Sequence, residues 1–293
     1  MDRMIFYRKV LIDGLEIFYR ETGSEDQPVL LLLHGFPSSS HMYRDLIRDL
    51  AGSYRIIAPD YPGFGQSSAA ALSGFGYTFE NISIVIEKFI DRLGLRNLHL
   101  CMQDYGGPVG FRIANRRPEL IRSLIIQNAN AYVAGFGPAT AGLVAYIENP
   151  DGQHEQAARF FLTLEATRYQ YLHGASDETR INPDSYITDQ YYLDRPGNDQ
   201  IQLALFRDYG ANVDLYEQWQ QYFRRHLPPA LVVWGSNDEM FTSAGADAYR
   251  QDLPDASIVK LDGGHFLLEE HHQQVAALIR DFIERQDLPG PAA

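Results

Sequence analysis

Apolar runs and polar breaks divide the chain into segments of two kinds. Residues 5–12 (IFYRKVLI) and 15–22 (LEIFYRET) flank Asp13-Gly14. That pair can take the left-handed angles of a two-residue hairpin turn, so two antiparallel strands are predicted. Residues 28–33 (PVLLLL) form an unbroken apolar run, which suits a strand covered on both faces of a parallel sheet. Further strands are predicted at 54–59, 97–102, 124–127, 230–235 and 257–261. Helical spacing marks 41–52, 107–116 and about 271–285, and most clearly 78–94, which opens at Thr78 and closes at Gly94. Strand and helix alternate over the first 130 residues, which predicts a mostly parallel sheet with helices on both faces.

From about residue 131 to 225 the alternation stops. The pattern there is helical or irregular and shows no strand, and alternation resumes at Ala230. An α/β core of residues 1–130 and 226–293 is therefore expected, interrupted by a helical lid over 131–225. No repeat, heptad run or low-complexity tract is visible, and the tail 287–293 (DLPGPAA) reads as frayed.

Composition narrows the picture. The 293 residues are 45% hydrophobic, enough for a large core, yet no apolar run approaches the roughly 20 residues that span a bilayer. The start, Met1-Asp2-Arg3-Met4, lacks the basic end and apolar stretch of a secretory leader. One cysteine, Cys101, excludes an internal disulfide framework and fits a reducing compartment, so a cytoplasmic location is expected. The net charge of −13 disfavours nucleic acid and anionic membrane surfaces as partners. No metal-ligand spacing or dinucleotide glycine pattern is visible, so no metal and no cofactor are expected. The chain holds 18 Tyr against 2 Trp, which makes an apolar cleft with phenolic donors easy to build.

Candidate chemistry lies where strands end. Met102-Gln103-Asp104-Tyr105-Gly106-Gly107 joins a strand to a helix. A sharp turn there pushes its central side chain out at the C-terminal edge of the sheet, where open α/β folds bind ligands. The residue usually found at its centre is serine in G-x-S-x-G; here it is Asp104, and no G-x-S-x-G occurs elsewhere. Taken alone, Asp104 could simply cap the following helix. Two partners argue otherwise: Asp238 in WGSND and His265 in LDGGHF each follow a strand, in the order nucleophile, acid, histidine. Asp262 is the rival acid but sits where it would shape the histidine loop, and His271 and His272 read as solvated. His34-Gly35-Phe36-Pro37 follows an inner strand, and the backbone N–H groups of Phe36 and Tyr105 are the candidate oxyanion hole.

HGFP at 34–37, APDYPGFGQS at 58–67, QDYGGP at 103–108, VVWGSND at 232–238 and GGHF at 263–266 resemble the α/β-hydrolase superfamily. They are most similar to its aspartate-nucleophile branch of epoxide hydrolases and haloalkane dehalogenases. The resemblance implies an α/β-hydrolase fold and a two-step reaction. Asp104 attacks an sp³ carbon to give an alkyl ester, and His265, oriented by Asp238, activates water against that ester. The partners expected are a small apolar organic substrate and water, with a homodimer admissible.

The leaving group is less specified. Epoxide opening, which gives a vicinal diol, wants a proton donor, and the branch supplies lid tyrosines. Tyr209 matches the second of these, and Tyr171, Tyr169 and Tyr132 compete for the first. The leaving-group and substrate-binding set so expected is Tyr209, Tyr171, His34 and Trp219, although packing also accounts for Trp219. Dehalogenases commonly place an indole directly after the nucleophile and Asn after His-Gly. Here those positions hold Tyr105 and Phe36, which favours epoxides. Bulky Met102 before Gln103-Asp104 looks more like a dehalogenase turn, which keeps a haloalkane or haloacid alternative. A catalytically silent binding protein of this fold would show a broken triad, and this one is complete. Residues 193–198 (LDRPGN) are distinctive but suggest no function.

Overall fold

The computed structural model describes residues 3–287, so the tail from 288 onward lies outside the described residues. Eight strands form one sheet: β1 (Phe6–Ile12), β2 (Leu15–Thr22), β3 (Val29–Leu33), β4 (Arg55–Pro59), β5 (Leu98–Gln103), β6 (Ile121–Gln127), β7 (Ala230–Gly235) and β8 (Ser257–Leu261). Their spatial order is β1-β2-β4-β3-β5-β6-β7-β8. β1 and β2 pair antiparallel through a turn in which Asp13 and Gly14 both have positive φ, as the Asp-Gly pair predicts. β2 meets β4 antiparallel, and from β4 to β8 every pairing is parallel.

The apolar run in β3 explains why the sheet is covered on both sides. Leu31 and Leu33 join one core cluster and Leu30 and Leu32 the other, because alternate side chains point to opposite faces. The first face is covered by α2 (Phe79–Arg92) and α3 (Gly106–Arg116), and the second by α1 (Arg44–Leu50) and α12 (Leu268–Asp287). Thr78 caps α2 by accepting from the Asn81 N–H, as its sequence position predicts. A short 3₁₀ turn, Ser40–Tyr43, precedes α1, so the stretch 41–52 is not one regular helix.

Between β6 and β7 the described residues form helices only: α4 (Ala141–Glu148), α5 (Gly152–Phe160), α6 (Leu164–Leu172), α7 (Pro183–Leu193), α8 (Asn198–Asp208), α9 (Gly210–Val213) and α10 (Tyr216–His226), with short 3₁₀ turns among them. One further helix, α11 (Ser243–Ala248), follows β7. Polar contacts fix this helical segment over the C-terminal edge of the sheet. Arg195 donates to the carbonyls of Gly63 and Gly65 at 2.9 and 3.0 Å, which gives the LDRPGN stretch a docking role on the PGFG turn. Asp208 accepts from the Phe79 N–H at 2.7 Å, and Arg112 donates to Asn212 at 2.5 Å. No helix among the described residues is long and apolar enough to cross a membrane.

Candidate active site

Asp104 follows β5, the strand at the middle of the parallel part of the sheet, and its backbone is held at φ 49°. A left-handed angle costs a non-glycine residue about 1–2 kcal/mol, so the surroundings must hold it there. They do so by close approach. A Cβ on Gly106 would lie 2.1 Å from the Leu33 carbonyl oxygen, and one on Gly35 would lie 2.3 Å from the Asp104 Cβ. Gly106 and Gly35 are thus required by contact. Asp104 does not cap α3, whose N-cap residue is Tyr105 and has no side-chain capping bond.

The Asp104 carboxylate divides its two oxygens. Oδ1 accepts from the Phe36 N–H at 2.7 Å, and the Tyr105 N–H lies near enough to favour the charged carboxylate. Oδ2 faces Nε2 of His265 at 3.8 Å. Burial raises the Asp104 pKa above the usual carboxylate value, against the pull of His265 and the two N–H groups and with a smaller push from Asp238. A carboxylate whose charge is poorly solvated is a stronger nucleophile than one in water.

His265 stands four residues beyond β8 and Asp238 three beyond β7, and both are buried. His265 Nδ1 lies 2.7 Å from Asp238 Oδ2. Oδ1 of the same carboxylate accepts the N–H groups of Met240 and Phe241, and Asn128 donates to Oδ2 at 2.7 Å. These four bonds compensate a charge that burial would otherwise penalise. Burial alone would lower the His265 pKa. The charge and hydrogen bond of Asp238, with the charge of Asp104, outweigh it and leave the imidazole above its ordinary value. The rival acid, Asp262, instead accepts from Asn237 at 2.8 Å. His271 reaches the Asp262 carbonyl, and His272 pairs with Asp49, away from the site.

A narrow, mostly apolar pocket opens above Asp104. Phe36 and Tyr105 come from the core; Phe136, Thr140, Leu143, Val144 and Ile147 from the segment after β6; Gln170 from α6; Phe206 and Tyr209 from α8 and its end; and Met240 and Phe241 from the loop after β7. Among its polar groups, Thr140 already donates to the Gly137 carbonyl. The Tyr209 hydroxyl and the Gln170 Nε2 are buried without a hydrogen bond of good geometry. The Tyr209 and Tyr216 phenols adjoin each other, and burial raises both pKa values well above the ordinary phenol value. Both therefore stay protonated at any working pH. Among the described residues, no three of His, Cys, Asp and Glu converge so as to hold a metal ion.

Three members of the expected substrate-binding set fall outside this pocket. His34 is fully buried, and its Nε2 accepts from the Tyr61 N–H while its ring stacks on Tyr61 at 4.1 Å. Burial pushes its pKa down to about 4, so it ties the turn after β3 to the turn after β4 as a neutral ring. Tyr171 points to the opposite side of α6, donates to Asp189 at 2.5 Å and stacks on Phe266 at 3.8 Å. Trp219 packs between Phe111 and Tyr216 beneath the Arg112 guanidinium. The other lid candidates are also engaged elsewhere: Tyr132 donates to Asp252 and Tyr169 to Glu239. Sequence reasoning missed Gln170, Asn128 and the contact of Gln103 with His265. An asparagine ending a strand reads only as a turn, and Gln170 lay unnoticed between two tyrosines.

Comparison with known proteins agrees with this architecture. The family described as alpha/beta hydrolase fold matches residues 28–272. An uncharacterized hydrolase of Saccharomyces cerevisiae is 36% identical, covering 95% of this chain and 96% of the relative. A haloalkane dehalogenase of Bradyrhizobium diazoefficiens is 38% identical over 94% of this chain and 93% of its own length. Among solved structures, the haloalkane dehalogenase DatA of Agrobacterium tumefaciens C58 superposes with a TM-score of 0.80 at 26% identity, covering 96% of this chain and 97% of that one.

Proposed function

The chain belongs to the α/β-hydrolase fold family, in its dehalogenase-like branch, and from that premise we propose that it hydrolyses small apolar epoxides through an ester on Asp104. Oδ2 attacks a ring carbon, the carbon–oxygen bond breaks, and the departing oxygen takes the Tyr209 proton. Tyr216 steadies the resulting phenolate, and the Gln170 amide N–H is a second donor to the departing oxygen. His265 then takes a proton from water, and the hydroxide adds to Cγ of Asp104. The oxyanion that forms is held by the N–H groups of Phe36 and Tyr105. Collapse releases the diol, protonated from His265, and the proton left on Asp104 restores Tyr209. Esterification also removes the Asp104 charge, so the imidazole becomes less basic at the stage where it accepts a proton from water.

The observation that carries this reading is the unengaged Tyr209 phenol in the pocket that Asp104 lines. An alkoxide is a strong base and gains from a proton donor, whereas a halide needs only weak donors. No indole lines the pocket: Trp219 is packed away, and Trp234 donates its N–H to the Phe241 carbonyl at 2.7 Å. The relatives favour the second reading, release of halide from a haloalkane by the same ester route: the Bradyrhizobium relative at 38% identity and the DatA structure at 26% both bear that name. Tyr209 with Gln170 would then be the halide donors.

Substituting Tyr209→Phe separates the two. Hydrolysis of styrene oxide is expected to fall about 10²-fold, the usual size of a general-acid contribution. Bromide release from 1-bromobutane should fall only about tenfold, since one hydrogen bond to the halide rather than a proton donor is lost. Initial rates of diol and bromide formation check this. An epoxide rate unaffected by the substitution, or bromide release as the dominant activity, would reverse the order of the two readings.

A further inference from the structure

Gln103 is fully buried at the end of β5, and its side chain lies against the histidine rather than the pocket. Its Nε2 is 3.1 Å from Nε2 of His265, the nitrogen that must take the proton of water. Its Oε1 has no hydrogen-bond partner, although it is sealed from solvent. A buried acceptor without a partner keeps its full desolvation cost, so an amide left half-satisfied here calls for a reason.

The ring supplies one. With Nδ1–H donated to Asp238, the neutral imidazole presents only a lone pair at Nε2, and the Gln103 N–H meets it. Once the ring is protonated, Nε2 bears hydrogen and an N–H facing it is repelled. A half-turn of the amide then exchanges its two ends and sets the unpartnered Oε1 against Nε2–H. Two charges face this ring, Asp238 from the loop after β7 and Asp104 after β5. Phe241 and Phe266 present their rings edge-on to it. Neighbouring ionisable groups are turned elsewhere: Glu239 to Tyr169 and His173, Asp262 to Asn237, and Glu270 to Ser176.

We propose that Gln103 is a positioning residue whose amide donates to the one Nε2 lone pair of the resting neutral His265, gives that lone pair up to the incoming water, and then turns to accept from the imidazolium. This rests on the ester route above. The consequence falls on one half-reaction: Gln103 holds the base during ester hydrolysis and takes no part in the attack by Asp104.

Rapid-quench measurement with styrene oxide follows ester formation and ester hydrolysis separately as pH is varied. Gln103→Met, similar in size but without donor or acceptor, is expected to slow hydrolysis about tenfold and ester formation by less than about threefold. Gln103→Glu places a carboxylate on Nε2–H, and the pH midpoint of hydrolysis should rise on the order of one unit. In the unaltered enzyme, the ¹⁵N resonance of the Gln103 side-chain amide should titrate with the midpoint of the His265 ring, a result that needs no variant to fold. Three results would overturn the proposal: an amide resonance unmoved while His265 titrates, a methionine variant hydrolysing at the unaltered rate, or both steps slowed together. Absence of any ester in the unaltered enzyme would instead refute the ester route, with the titration still deciding the role of Gln103.

Discussion

An Asp104→Asn enzyme is expected to lose at least about 10⁴-fold in turnover of epoxide or bromoalkane, the scale of removing a nucleophile that works within a triad. It should fold as well as the unaltered chain or better. Asparagine tolerates the left-handed φ of 49° that alanine would resist, and its side-chain oxygen can still accept from the Phe36 N–H. Burial raises the Asp104 pKa, so the ionised carboxylate opposes folding at neutral pH. The sign is that of a group whose charged form is disfavoured in the folded state. The penalty is absent below the unfolded pKa and grows as pH rises through the folded one. A thermal melt near neutral pH should therefore show an equal or higher Tm for the variant. Turnover within about 100-fold of the unaltered enzyme would remove Asp104 from the reaction.

His265→Asn is expected to split the reaction in two. The asparagine amide can replace Nδ1–H on Asp238, so that buried carboxylate keeps all its partners and the fold survives. What should be lost is the base that the proposed ester route assigns to water activation. The variant should consume one equivalent of substrate and then stop, with steady-state turnover down by about 10³-fold or more. Mass spectrometry of the peptide carrying Asp104 should show the added mass of the substrate. Continued turnover would exclude His265 as the base. A variant that neither turns over nor gains mass would place His265 in the first step instead.

Much of this site was legible because its parts follow strands. The runs before His34, Asp104 and Asp238 announce themselves as buried β and the one before His265 as a further strand, and side chains just beyond parallel strands gather at one sheet edge. The Asp-Gly hairpin and the Thr78 cap were readable for a similar reason, since each depends on residues close in sequence. The helical segment was not readable in that way. Residues 164–172 (LEATRYQYL) carry no clean apolar stripe, and consecutive helical positions turn by about 100°. Tyr169, Gln170 and Tyr171 therefore face three ways: toward Glu239, into the pocket, and onto Phe266. Sequence reasoning chose a tyrosine where the pocket takes the glutamine. His34 misled differently. Its place beside Gly35 and Phe36 suggested substrate contact, but its ring is a brace between two turns.

The account stands on covalent attachment of substrate carbon to Asp104 before water arrives. A single turnover in ¹⁸O-labelled water, with enzyme in excess over styrene oxide, tests this directly. The heavy oxygen should appear in the peptide containing Asp104 and be absent from the diol formed in that first cycle. Label in the first-formed diol, with none in the peptide, would mean that water attacks the substrate itself and would contradict the ester route.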